Sequence, residues 1–170
     1  MPLPSALDPT AFDAPLRQQF DCFIDDHRRI VAEILDDLTE EEARRSLVPS
    51  RTTLLGLVKH LTFVEKVWFN EAITGGDRVE LGLPSDSADS FLLVDSDTID
   101  SVRQAYLDAC AESRERSSGL DLDAELPGNR RGPLPLRWVL LHVLREVAQH
   151  CGHAEILREQ ILASRQDPAD

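Results

Sequence analysis

The stretch Leu136–Ala163 keeps an apolar stripe at three- and four-residue steps over its whole length, and a chain carrying it must build its core from packed helices. The same period governs Pro15–Leu38, where Phe20, Phe23, Ile24, Ile30, Val31, Ile34 and Leu35 recur. Two further long helices are predicted. One starts near Pro49–Thr52 and ends at Gly75-Gly76; the other runs from Thr98 to Ser117, before Gly119. Thr39-Glu-Glu-Glu42 reads as a capping box opening a short helix. Strand-like alternation is nearly absent. Residues 75–97 and 119–135 are punctuated by Gly, Pro, Asp and Ser without a period and read as long connections. The expected architecture is all-α: a four-helix bundle with long connections and one short extra helix, one domain over 1–170.

Charge narrows the partners. With 31 Asp and Glu against 18 Lys and Arg, the net charge of −13 argues against nucleic acid, whose binders need a concentrated basic face. Three scattered cysteines, Cys22, Cys110 and Cys151, make no Cys-x-x-Cys and leave an odd count, which favours a reducing cytoplasm over a disulfide framework. No signal peptide and no membrane span is expected from the sequence. A homodimer is the base-rate assembly.

The last helix carries the sharpest chemical signal. At about 100° per residue with His142 at 0°, Glu146 falls near ~40°, His150 near ~80° and His153 near ~20°. Val139, Val143, Val147, Leu157 and Ile161 share that side of the wheel. Glu146 and His150 therefore turn toward the core or its edge, where a carboxylate needs a positive partner. On the second long helix, His60 lies among Leu57, Val64, Val67 and Trp68 and is aimed inward too. One ligand from one helix and an i, i+4 pair from another make a three-ligand metal site with an open position, the mark of a catalytic rather than a structural zinc centre. His60, Glu146 and His150 form that set. The bland reading of each is a satisfied core histidine or a rim glutamate. His153 and His142 flank the set, His153 as a group contacting ligand or substrate and His142 at the helix surface or beside a ligand. His27, among Asp25, Asp26, Arg28 and Arg29, reads as solvated. No catalytic residue beyond these is assigned.

Other motifs are missing or weak. There is no His-Glu-x-x-His, no Gly-x-Ser-x-Gly, no phosphate-cradling glycine loop and no Glu-x-x-His. Asp95-Ser-Asp97-Thr-Ile-Asp100 lacks the glycine and terminal glutamate of a calcium loop and reads as a helix N-cap region. Cys151 falls on the far side of the wheel and reads as a small core residue.

Leu54-Leu-Gly-Leu-Val-Lys-His60-Leu with Val64-Glu-Lys-Val-Trp-Phe69, and Leu136-Arg-Trp-Val-Leu-Leu-His142 with Glu146-x-x-x-His150-x-Gly-His153-Ala-Glu-Ile-Leu-Arg158-Glu, resemble the second- and last-helix signatures of the DinB-like superfamily. The resemblance is to its actinobacterial mycothiol S-transferase-like branch, related to the N-terminal domain of mycothiol-dependent maleylpyruvate isomerase. It implies a DinB/YfiT-like four-helix bundle with one metal held by His60, Glu146 and His150. It implies a cytoplasmic thiol transferase in which mycothiol is the co-substrate, its sulfur bound by the metal, and an electrophilic small molecule is attacked. The 16 Arg against 2 Lys fit a high-GC host. Arg137, Arg145 and Arg158, with His153, are available near the bundle mouth for a polar thiol. Mixed His and carboxylate ligands suit zinc first, with nickel, iron or manganese as alternatives. Two other functions share these ligands: a hydrolase with water in the open position, and a non-enzymatic metal-binding stress protein.

Overall fold

The structure, a computed structural model, describes residues 5–165. Its elements are α1 (Pro9–Phe12), α2 (Leu16–Glu33), α3 (Glu40–Ala43), α4 (Leu54–Glu65), a π-helical turn (Lys66–Glu71), α5 (Ala72–Thr74), a 3-10 segment (Ser87–Phe91), α6 (Ile99–Ser117), strands β1 (Glu125–Asn129) and β2 (Gly132–Pro135), and α7 (Leu136–Ala163). The fold is mainly α. The four long helices contact one another in a ring, α2 on α7, α7 on α4, α4 on α6 and α6 on α2, so α2 and α4 face each other across it. Among the described residues no helix is long and apolar enough to cross a membrane.

The four predicted helices all form, with two shifted boundaries and one change of helix type. α2 ends at Glu33 rather than Leu38, because the chain turns through Asp37, which has φ of 61°. The bared carbonyls of Ile34 and Asp36 accept hydrogen bonds from Arg158 Nη1 at 2.9 and 2.7 Å, so Arg158 caps α2 instead of serving the site. α4 begins at Leu54, not near Pro49, because Thr53 is its N-cap and accepts from the Gly56 amide at 3.0 Å. All of α4 except Lys59 is buried, as a helix apolar on every side must be. The predicted run to Thr74 is continuous but widens into the π turn, and Gly75, with φ of 68°, stops it. The Thr39–Glu42 capping box is present, and Thr98 caps α6.

The connection 119–135 departs most from expectation. It contains an antiparallel hairpin, not a structureless link. Pro127, Pro133 and Pro135 hid it, since proline argues against a central strand; in a two-stranded sheet both strands are edges and tolerate it. Buried Leu126 roots the hairpin in the core. Gly128 has φ of 80°, and a Cβ there would lie 1.7 Å from the Gly132 carbonyl oxygen. Gly128→Ala is therefore expected to impose about 1–3 kcal/mol of strain or to shear the hairpin. A lowered thermal midpoint checks this; an unchanged midpoint contradicts the register.

Within the connection 75–97, the 3-10 segment packs on α4. The backbones approach closely at Gly56, where a Cβ would meet the Phe91 carbonyl oxygen at 2.6 Å. That approach brings Ser90 and Phe91 onto His60.

Candidate metal centre

His60, from α4, and Glu146 and His150, from α7, converge. One donor atom from each lies within 4.8 Å of the other two. His60 is buried; Glu146 and His150 are half-buried. Donors sharing one zinc at about 2.1 Å in tetrahedral geometry sit about 3.4 Å apart, so small side-chain rotations bring these into range.

The surroundings prepare His60 as a ligand. Its Nδ1 lies 2.7 Å from Ser90 Oγ, and that hydroxyl donates its own proton to the Ser87 carbonyl at 2.5 Å. The serine oxygen can then only accept, which places the imidazole proton on Nδ1 and leaves the Nε2 lone pair for a ligand. Phe91 stacks on the ring, centroids 4.0 Å apart and planes 11° from parallel, while His150 meets it edge-on at 4.8 Å. Burial, with His150 adding to it, pushes the His60 pKa down to about 4. Burial likewise lowers His150 and His142, although Glu146 pulls both the other way. The rings are neutral at pH 7, the state a metal ligand requires.

Glu146 sits between two imidazoles without bonding either. Its Oε1 is 3.7 Å from His142 Nε2 and its Oε2 is 3.7 Å from His150 Nε2, too long for hydrogen bonds. Arg145 touches Oε1 from the solvent side. His150 Nδ1 is buried with no hydrogen-bond partner. A carboxylate held beside imidazole nitrogens without a hydrogen bond to either is an arrangement that a bound cation would bridge, so the residues present fit a divalent ion.

The three donors lie along a cavity of about 340 Å³ whose apolar wall includes Phe63, Val64, Val67, Trp68 and Phe91. Arg78, Arg130, Arg131 and Arg145 also line it. His142 is not a free surface group. It is clasped between Trp138, stacked at 5.0 Å and 8°, and Trp68 at 4.1 Å, beside Glu146. His153 is exposed, its ring 5.6 Å from that of His150, and lines a different, shallow cavity with Val48, Ile156 and Leu157. Arg137 pairs with Asp123 on the surface. Cys151 is buried and unpaired, as expected. His27 is half-buried, its Nδ1 2.7 Å from the Phe23 carbonyl oxygen. Sequence reasoning missed Ser90, Phe91, Arg130 and Arg131, because all four lie in connections without a period.

A search of curated protein sequences finds no match. The family model described as mycothiol-S-transferase matches residues 19–163, from within α2 to the end of α7. The two helix signatures, the convergent histidines and glutamate, and a match over most of the chain agree: the chain belongs to the mycothiol S-transferase family, a branch of the DinB-like superfamily.

Proposed function

We propose that this chain is a metal-dependent thiol S-transferase of the cytoplasm. In this reading the ring of four long helices is a DinB-like four-helix bundle, one domain over 1–170, and His60, Glu146 and His150 hold one divalent ion, zinc by preference. The thiol is mycothiol or a similar low-molecular-weight thiol, and its target is an electrophilic small molecule. The observation that carries the reading is the gathering of three neutral or anionic donors along an apolar-walled cavity with a coordination position to spare. When bound, the ion supplies the charge that favours thiolate over thiol.

The chain's own residues do the rest. Ser90 holds the His60 proton on Nδ1, and Phe91 fixes the plane of the ring. Arg145, which contacts Oε1, orients the Glu146 carboxylate. Phe63, Val67 and Trp68 exclude water and hold the apolar part of an electrophile near the sulfur.

Incubating metal-loaded protein with a chlorinated electrophile, with and without thiol, tests this. Conjugate formed only with thiol is the expected result. Product formed without thiol means a hydrolase, and no product with any electrophile means a binding protein; either overturns the proposal. Ser90→Ala should weaken metal affinity about 10–100-fold in a chelator competition, with helical content retained. Unchanged affinity would remove Ser90 from the account.

A further inference from the structure

We propose that this site selects electrophiles that carry a carboxylate, and that Arg130 and Arg131, at the tip of the hairpin, recognise it. The word electrophile rests on the thiol-transfer reading above; the anion preference rests on the hairpin alone.

The chain is strongly acidic, yet the cavity lining has four arginines against one carboxylate, Glu146. Two of the four are engaged. Arg78 Nε donates to Glu71 Oε2 at 2.8 Å, and Arg145 contacts Glu146. Arg130 and Arg131 make no ion pair and no side-chain hydrogen bond among the described residues. A local excess of positive charge on an acidic protein is a recognition feature for an anion, because elsewhere the surface repels it.

The turn holds the two side chains at the cavity. Asn129 and Gly132 are cross-strand partners, so Arg130 and Arg131 are the two linking residues. Asn129 Oδ1 accepts from the Arg131 amide at 3.1 Å, and Gly132 takes the left-handed φ of 85° that closes the turn. The Arg131 guanidinium lies 5.4 Å from the centroid of the Trp68 ring, which lines the same cavity. Stacking orients a guanidinium without consuming its N–H donors, and its planar fork matches a carboxylate. Both arginines are exposed, and both line the cavity that holds the donor set.

Intrinsic fluorescence reads this directly, since Trp68 and Trp138 are the only tryptophans and sit 5.6 Å apart beside the cavity. The full-length protein is titrated with benzoate and with benzamide, no thiol present. Benzoate should bind more tightly, and R130Q/R131Q should weaken it about 10–100-fold, the cost of losing charge-assisted hydrogen bonds. R130K/R131K keeps the charge without the fork and should fall between. Equal binding of benzoate and benzamide, or benzoate binding unchanged in R130Q/R131Q, overturns the proposal.

The kinetic arm compares 4-(chloromethyl)benzoate with benzyl chloride, with thiol. In each, a sulfur–carbon bond forms, the carbon–chlorine bond breaks, chloride leaves with the electron pair and the thiol proton passes to buffer. The ratio of kcat/KM for the two should favour the carboxylate and fall at least tenfold in R130Q/R131Q. If neither compound is conjugated, the transferase reading fails while the fluorescence arm still decides the anion site.

Discussion

Glu65→Ala is expected to lower the free energy of unfolding by about 3–5 kcal/mol. Arg28 on α2 and Glu65 at the end of α4 meet across the helix ring, where both are buried. Arg28 Nε and Nη2 donate to the two carboxylate oxygens at 2.8 and 2.6 Å, a bidentate pair. Nη1 reaches Asp25 at 3.0 Å, and the Phe69 ring lies 5.5 Å from the guanidinium carbon. Glu65 also occupies the junction where α4 widens into the π turn, so the pair ties that irregularity to α2. Removing the carboxylate strands a buried cation that Asp25 only partly compensates. Replacing both partners, R28M/E65L, removes the charge along with its desolvation penalty and should recover most of the loss. Urea denaturation of the three proteins checks this. A loss below about 1 kcal/mol for Glu65→Ala would show that the pair is not buried in solution.

His60→Ala is expected to abolish stoichiometric metal binding and, with it, thiol transfer. The two candidate donors that remain on α7 are i, i+4 neighbours on one helix and would reach an ion from one side only. The same substitution has a second signature in metal-free protein. The folded-state pKa of His60 is pushed down to about 4, below its ordinary value of 6.5, so folding favours the neutral ring. The stability contributed by that neutrality is present above pH 6.5 and is lost as pH falls toward 4. At 1.36 kcal/mol per unit the full loss is about 3 kcal/mol. Metal-free wild type should thus destabilise over that acid window more steeply than His60→Ala, whereas protons should compete with metal for the folded ring only as pH approaches about 4. Parallel acid profiles for the two proteins would contradict a buried, neutral His60.

The parts of this molecule that were readable in advance are those with a period. The periodicity of α7 and α4 tells which side of each helix faces the core, and it turns His60, Glu146 and His150 inward, where the structure brings them together. Periodicity reports faces, not partners. Arg28 sits in a run of charged residues beside His27, which reads as solvated, yet Arg28 is buried because Glu65, 37 positions away, faces it across the ring. His142 carried the same ambiguity until Trp68 and Trp138 closed on it. The connections were opaque for a different reason. Ser90 and Phe91 act through a short 3-10 segment held by one close backbone approach at Gly56, and the hairpin is written in prolines and glycines that usually argue against strands. The helices carry the candidate donors; the aperiodic segments orient one of them and line the cavity.

The most direct test of the central claim is the metal content of protein purified from metal-supplemented culture, measured with a thiol titration of the same sample. The account predicts about one divalent ion per chain, one equivalent of thiol bound only when the ion is present, and loss of both in His60→Ala, Glu146→Ala and His150→Ala. Protein that binds thiol without any ion, or that keeps its ion when these three residues are changed, would contradict it.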